Sequence, residues 1–286
     1  MKGIILAGGT GSRLWPSTKA LSKQLIPIYD KPLIYYPLST LMLAGIRDFL
    51  IITTPSDQAI FQKLLHNGES LGITISYEIQ ESPDGLAQAF IIGEDFIGSD
   101  SVALILGDNI FHGSGLGRDL ARCNNPEGAI IFGYEVTDPQ RYGVAQVDSS
   151  GFVTSIEEKP TNPKSKLAIP GLYFLDNTAC KKARNVKKSE RGELEITSLL
   201  DMYRHGGNLK LKVLARGTAW MDCGTVNSLN DASNYIRVIE ERQGYKVGAI
   251  EEVAWRNNWI SSAELLQIAS SYQNSEYGQY LCHLLD

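Results

Sequence analysis

Four short strand-like segments in the first 110 residues set the frame of this chain. They fall at residues 4–7, 48–53 (D-F-L-I-I-T), 74–79 (T-I-S-Y-E-I) and 102–106 (V-A-L-I-L). Those with hardly any polar alternation, above all 102–106, belong to strands covered on both faces, as in parallel sheets flanked by helices. Between them, Lys31-Pro32-Leu33-Ile34-Tyr35-Tyr36-Pro37 leads into a helix to about Ala44, with Pro37 suited to the first turn and Gly45 to the C-cap. A second helix is predicted from Thr54-Pro55-x-Asp57 to Asn67-Gly68, giving a β-α-β-α rhythm. The pattern changes at Ala129, where strands at 129–134, 143–147, 152–157 and 168–175 are parted by turns such as Ser149-Ser150-Gly151. These read as an antiparallel extension folded over the mouth of the sheet. A helix over 193–205 and strands over 209–214 and 219–222 follow. Residues 225–244 then repeat Leu229, Ala232, Ile236 and Ile239 at helical spacing. The tail reads as helices, one opened by the capping-box pattern Ser261-x-x-Glu264. The expected fold is α/β, a Rossmann-like three-layer arrangement with a mainly parallel central sheet, a β-rich insertion and a small C-terminal helical tail. We expect one domain over 1–244, divided at about 128, and a helical extension over 245–286.

A chain of 286 residues can bury a sizeable core, roughly 75% of its unfolded surface. Its net charge of −5 and the absence of basic blocks argue against nucleic acid or a membrane surface as partner. Phosphorylated ligands have to be met by local positive charge. Cys123, Cys180, Cys223 and Cys282 form no C-x-x-C and read as reduced thiols of a cytosolic protein. The N-terminal apolar run stops at Gly8 and no stretch reaches the ~20 apolar residues of a membrane span, so a cytoplasmic protein is expected. His66, His112, His205 and His283 show no metal-ligand spacing, which speaks against structural zinc.

The first apolar run passes into K-G-I-I-L-A-G-G-T-G-S-R, a strand followed by a glycine-rich turn that ends on Arg13. Gly8, Gly9 and Gly11 let the backbone approach a phosphate and point several N–H groups into one concavity, and the guanidinium adds a forked clamp. Two familiar phosphate templates do not fit. A dinucleotide fingerprint beginning at Gly9 would need glycine where Leu14 stands, and a P-loop would need Gly-Lys-Ser/Thr. A tight strand-to-helix turn without ligand is the plain alternative for these residues alone.

Together with Ser22-Lys23-Gln24-Leu25-Ile26-Pro27, the segment Gly8-Gly9-x-Gly11-x-Arg13 resembles the sugar-nucleotide pyrophosphorylases, and most of all the branch that makes dTDP-glucose. The resemblance runs to Trp259. It implies a nucleotidyltransferase domain, with the nucleotide bound over about 1–128 and the sugar and metal over 129–244. It also implies dTTP and glucose 1-phosphate as substrates, dTDP-glucose and pyrophosphate as products, and Mg2+ as cofactor. Such a transfer displaces pyrophosphate at the α-phosphorus. The attacking phosphate oxygen is already ionised, so the site must supply alignment and positive charge rather than a general base.

Two carboxylates stand where open α/β sheets bind ligands. Asp108 follows the run Leu104-Ile105-Leu106-Gly107, and Asp222 lies in Trp220-Met221-Asp222-Cys223-Gly224-Thr225. Either alone is equally an ordinary turn or N-cap aspartate. As a pair they can share one magnesium, and they match the family's metal positions. By resemblance Arg13 grips the β- and γ-phosphates and Lys23 neutralises the leaving pyrophosphate or the α-phosphate. In Ile156-Glu157-Glu158-Lys159-Pro160 and Glu190-Arg191-Gly192-Glu193, Lys159 and Arg191 are implied to hold the 1-phosphate of the sugar. Glu158 would meet sugar hydroxyls with Asn109, Tyr142, Gly143, Ile169 and Tyr173. The plain alternative for a Glu-Glu-Lys run is a solvated strand edge.

Base selection falls on Gln80-Glu81-Ser82-Pro83-Asp84-Gly85-Leu86-Ala87. The Gln80 carboxamide can meet an imide N–H and C=O of thymine or uracil, and Gly85 leaves room for a base. Leu6, Gln24, Pro83 and Leu86 are the further nucleotide contacts the resemblance implies. It also implies a homotetramer with a second nucleotide site built from His112, Gly115, Arg216, Val247, Glu252 and Arg256, where dTDP-rhamnose would act in feedback. The sequence departs from the family pattern at Ser198 and Asn258. Two other readings remain: a pyrophosphorylase using UTP, and a non-catalytic subunit that binds sugar nucleotides.

Overall fold

The structure, a computed structural model, describes residues 1–272 and 274–286. In chain order its strands are β1 (Lys2–Ala7), β2 (Pro27–Ile28), β3 (Lys31–Pro32), β4 (Asp48–Thr53), β5 (Thr74–Ile79), β6 (Val102–Leu106) and β7 (Asn109–His112). They continue with β8 (Ala129–Glu135), β9 (Gly143–Val147), β10 (Val153–Glu158), β11 (Leu167–Ala168), β12 (Leu172–Leu175), β13 (Leu209–Val213) and β14 (Ala219–Asp222). The helices are α1 (Tyr35–Leu43), α2 (Gln58–Leu65), α3 (Gln88–Ile92), α4 (Glu94–Ile97), α5 (Leu116–Ala121) and α6 (Ala179–Ala183). After them come α7 (Ile196–His205), α8 (Val226–Gln243), α9 (Ile250–Arg256), α10 (Ser262–Ser271) and α11 (Glu276–His283).

The main sheet runs β10-β9-β11-β8-β12-β6-β1-β4-β5, with β13 parallel to β8. Its parallel centre is β6-β1-β4-β5. Alternation along these strands explains why the predicted runs carry no polar face. Ile5, Phe49, Ile51, Ala103 and Ile105 bury into one core with α1, α5 and the tail helices. Ile4, Leu50, Ile52, Val102 and Leu104 bury into the other with α3, α6 and α7. Both sets have to be apolar.

The antiparallel part does not fold over the mouth of the sheet as expected. It prolongs the same sheet, because β12 pairs antiparallel with β6 and satisfies the backbone groups along that edge. The strand expected over 168–175 is two, β11 and β12, divided at Pro170-Gly171. Proline has no N–H for the ladder, and a Cβ at Gly171 would stand 2.5 Å from the Leu106 side chain. α2 begins four residues later than expected, since 54–57 form a turn in which the Thr54 hydroxyl bonds Asp57. α8 starts at a Thr225–Ser228 capping box and stops at Gly244, which has φ 71°. The capping box expected at Ser261 and Glu264 is present.

Lys246 ties the tail to the main body, reaching Glu240 at 3.1 Å beside the buried Lys31–Glu240 pair at 2.8 Å. Within the tail, Glu251, 2% exposed, accepts from the Tyr277 hydroxyl and joins α9 to α11. Burial pushes its carboxyl above the usual glutamate range, with the Tyr277 hydrogen bond acting the other way. The folded chain therefore keeps this proton at pH values where the unfolded chain, near 4.5, has lost it. Stability from this group is fully present below that value and is lost as pH rises through the raised one. Glu251→Gln keeps an acceptor for Tyr277 without the charge. We expect the variant to gain on the wild type by about 1.4 kcal/mol for each pH unit crossed in that window, read from melting curves between about pH 4.5 and neutrality; a constant difference would exclude the assignment.

Candidate active site

The centre of the site is set by strand register. β6 ends at Leu106, Gly107 turns, and the chain re-enters as β7, which pairs antiparallel with β14 so that Asp222 stands opposite Asn109. The Cys223 N–H donates to the Asp108 carbonyl at 2.9 Å. Two aspartates 114 positions apart are thereby neighbours in one recess. Burial raises the Asp222 carboxyl above the ordinary range, and the Asp108 charge adds to the rise while Lys23, Arg141 and Arg13 oppose it. The Lys23 ammonium is ion-paired with Asp108 Oδ2.

Asn109 fixes the outer face of that pair. It is 2% exposed, its Nδ2 donates to Asp108 Oδ1 at 2.9 Å, and its Oδ1 accepts from Trp220 Nε1 at 2.7 Å and Gly171 N at 3.2 Å. The side chain that the sequence suggests for sugar contact is thus also the one that orients the carboxylate.

Three adjoining cavities form the cleft. The middle one, about 170 Å³, is walled by Thr10, Gly11, Ser12, Arg13, Lys23, Asp108, Asp222 and Gly224. The cradle is held by the Thr18 hydroxyl, which donates to the Gly11 carbonyl at 2.7 Å. The second, about 430 Å³, is bounded by Gly9, Trp15, Thr54, Gln80 and Pro83. Here Gly8 is needed for space, because a Cβ on it would lie 2.3 Å from Gln80 Oε1. The third, about 170 Å³, contains Leu86, Asn109, Tyr142, Gly143, Glu158, Lys159, Ile169 and Tyr173, and it shares Arg13, Asp108 and Asp222 with the first.

In that third cavity Glu158 lies beneath Lys159, with Oε1 3.7 Å from Nζ. Its carboxyl is raised mainly by burial, against the pull of the Lys159 charge. Lys159 takes φ 42°, a left-handed backbone unusual for a residue with a Cβ and a common mark of functional positions. Arg191 stands at the rim, 3.6 Å from Glu158 and 3.5 Å from Glu195, and does not line the cavity floor.

Several residues expected at the nucleotide lie elsewhere: Leu86 lines the sugar-side cavity, and the Cβ position of Gly85 faces the Leu194 backbone. Leu6 packs in the core and offers only its carbonyl to Gly107 N–H. Gln24 is 2% exposed, packed against Gly107, with its Oε1 accepting from the Ser22 hydroxyl at 2.6 Å. Both back the cleft without lining it. Conversely, the sequence reading missed Arg141, Thr197 and Trp220, which line the sugar-side cavity. Tyr142 packs edge-on to Trp220 at 5.0 Å and Arg141 lies over Tyr142 at 5.3 Å. The segment Arg141-Tyr142-Gly143 beside Trp220-x-Asp222 was the available clue.

A separate cavity of about 380 Å³ gathers His112, Gly115, Val247, Glu252 and Arg256. Arg216, expected with them, stands exposed in the turn between β13 and β14, outside that wall. His112 Nδ1 lies 2.8 Å from the Tyr235 hydroxyl, and burial lowers its pKa.

A glycine-rich turn, a carboxylate pair and a polar recess lie together along the carboxyl edge of a parallel sheet, an arrangement suited to nucleotidyl transfer. The model of the nucleotidyl transferase family matches residues 2–238, so the chain belongs to that family. Within it the chain groups with the glucose-1-phosphate thymidylyltransferases. The protein of that name from Mycolicibacterium smegmatis is 56% identical over 286 residues, covering 100% of this chain and 99% of the relative. A crystal structure described as a glucose-1-phosphate thymidylyltransferase from Bacillus anthracis, in complex with sucrose, superposes with a TM-score of 0.76 at 39% identity, over 83% of this chain and 95% of that one. A UDP-glucose pyrophosphorylase complexed with UDP-glucose gives 0.73 at 26% identity, over 83% and 98%.

Proposed function

We propose that this chain catalyses transfer of the thymidylyl group from dTTP to α-D-glucose 1-phosphate, releasing pyrophosphate and dTDP-glucose, with Mg2+ as cofactor. The observation that carries the reading is the Asp108–Asp222 pair, flanked by Lys23 and Arg13, between the glycine cradle and the sugar-side cavity. The donor set suits a hard cation: two carboxylates from different strands meet in one recess. Gly224 keeps the space beside them open, since a Cβ there would lie 3.2 Å from Asp222 Oδ1. When bound, Mg2+ supplies charge that neutralises the phosphate oxygens.

The chain's own residues do the rest. The cradle and Arg13 hold the triphosphate, Arg13 at the β- and γ-phosphates. Lys159 and Arg191 hold the sugar's 1-phosphate, while Glu158 and Tyr173 face its hydroxyls. One oxygen of that phosphate forms the new bond to the α-phosphorus as the bond to the bridging oxygen breaks. The electron pair leaves with pyrophosphate, whose charge Lys23 offsets, and no proton has to be removed. We assign residues 1–244 to this activity, nucleotide on the 1–128 side and sugar on the 129–244 side, and place the protein in the cytoplasm at the start of a deoxysugar route such as that to dTDP-rhamnose.

Gln80 suits uracil as well as thymine, and one methyl group discriminates by only ~1–3 kcal/mol. UTP is therefore expected to be a slower substrate. The test is magnesium-dependent pyrophosphate release from dTTP, UTP, dCTP, ATP and GTP, each against glucose, galactose and mannose 1-phosphates. Fastest release with dTTP and glucose 1-phosphate supports the reading; no release from folded, dTTP-binding protein would overturn it.

For the separate cavity at His112 and Arg256 we propose a regulatory nucleotide-sugar site in a homotetramer, with dTDP-rhamnose as feedback ligand. Inhibition by dTDP-rhamnose that Arg256→Ala abolishes, with unchanged uninhibited turnover, tests it.

A further inference from the structure

The base-reading carboxamide is held in one of its two possible orientations by a second glutamine. Gln88, the first residue of α3, places its Oε1 2.6 Å from Gln80 Nε2 and 3.3 Å from the Asp84 backbone nitrogen. A backbone N–H can only donate, so the Gln88 atom facing it has to be its oxygen. That oxygen then requires a donor from Gln80, which places Nε2 toward Gln88 and Oε1 toward Gly8. Gln80 is 5% exposed, so a reversed carboxamide would set two oxygens against each other with little water to part them.

The consequence is chemical. A carboxamide locked this way offers the cavity one acceptor, Oε1, and one remaining N–H. Thymine and uracil present an imide N–H flanked by carbonyl oxygens and meet that order directly. Cytosine presents a ring-nitrogen acceptor beside an amino donor and needs the order reversed. The glutamine by itself reads either edge equally well, because rotation about one bond exchanges its donor and acceptor.

We propose that Gln88 is a specificity-positioning residue. By accepting from both Gln80 and the Asp84 backbone, it locks Gln80 in the orientation that favours 4-keto over 4-amino pyrimidine nucleotides. This rests on the assignment of the base to the Gln80 side of the cleft. It accounts for a polar residue at the start of a short helix whose next two residues, Ala89 and Phe90, are fully buried.

The experiment compares kcat/KM for dTTP and dCTP with glucose 1-phosphate in the full-length protein and in variants whose melting temperatures are recorded alongside. Gln88→Met keeps the length and removes the acceptor, and the dTTP-to-dCTP ratio is expected to fall at least about 10-fold, mostly through KM, since mispairing a buried polar group costs that much or more. Gln88→Glu keeps the acceptor and is expected to hold the ratio within about 2-fold. Gln88→Lys replaces acceptor by donor and is expected to move the ratio toward dCTP beyond Gln88→Met, which keeps the test decisive if the methionine variant folds poorly. An unchanged ratio in Gln88→Met or Gln88→Lys, or an equal drop for both nucleotides, would overturn the proposal. Gln80→Leu separates the two levels: if it leaves the ratio intact, the base assignment fails, whereas if it collapses the ratio and Gln88→Met does not, only the lock fails.

Discussion

Asp108→Asn and Asp222→Asn are each expected to lower kcat by about 10³-fold or more, the loss typical when charge stabilisation at a transferring phosphate is removed. Neither change alters side-chain volume appreciably, so the fold should persist. The Asp222 carboxyl is raised by burial and by the Asp108 charge, so neutralising Asp222 relieves a repulsion in the ligand-free protein, whereas neutralising Asp108 also removes the ion pair with Lys23. The melting temperature of Asp222→Asn without ligand should therefore equal or exceed that of the wild type. Added magnesium and dTTP should stabilise the wild type by mass action and the variants much less. Reduced activity with a lowered ligand-free melting temperature in Asp222→Asn would point to a structural role for that residue instead, and full magnesium-dependent activity in either variant would remove the metal assignment altogether.

The second large effect is expected from Gly85→Ala. Gly85 has φ 115°, and a Cβ built on it lies 2.4 Å from the Leu194 carbonyl oxygen and 2.5 Å from the Leu194 nitrogen. The contacts are backbone, so rotamer changes cannot relieve them. The loop at Asp84 and the chain at Leu194 are already joined: the Ala87 N–H donates to the Leu194 carbonyl at 3.1 Å, and the Leu194 N–H donates to that of Asp84. An added methyl has to part these strands of chain or force the backbone out of its left-handed region. The expected cost is about 3 kcal/mol of stability, and the KM for dTTP should rise at least about 10-fold because Pro83, Asp84 and Gln88 move with the loop. Thermal melts and dTTP titration on the same preparation check both. A Gly85→Ala protein as stable as wild type would contradict the observed packing.

Much of this architecture was legible in the chain itself, and the reason is local. Runs such as 48–53 and 102–106 announce a sheet covered on both faces, because only strands covered on both faces require apolar residues at every position. The capping box at Ser261 and the glycine end of α8 are read from residues three apart or adjacent. The cradle from Gly8 to Arg13 is likewise a contiguous motif. The division at Pro170 was legible too, had the missing N–H been weighed against the apolar run around it.

What tertiary structure alone decided was the meeting of residues far apart in the chain. Nothing in the local residues says that Asp222 stands opposite Asn109; that follows from the β7–β14 register, and the shared recess exists only through it. The same holds for Asn109 bonding Trp220, for Arg141 entering the sugar-side cavity, and for Arg216 remaining outside the wall formed by His112 and Arg256. The placement of β12 beside β6 is a further case, since either edge of an extension can in principle satisfy a free strand. Residue type and short-range spacing determine which chemistry the chain can offer. Strand pairing and burial determine which of those groups share one charge environment, because electrostatic coupling depends on distance and desolvation, and neither is a property of sequence separation.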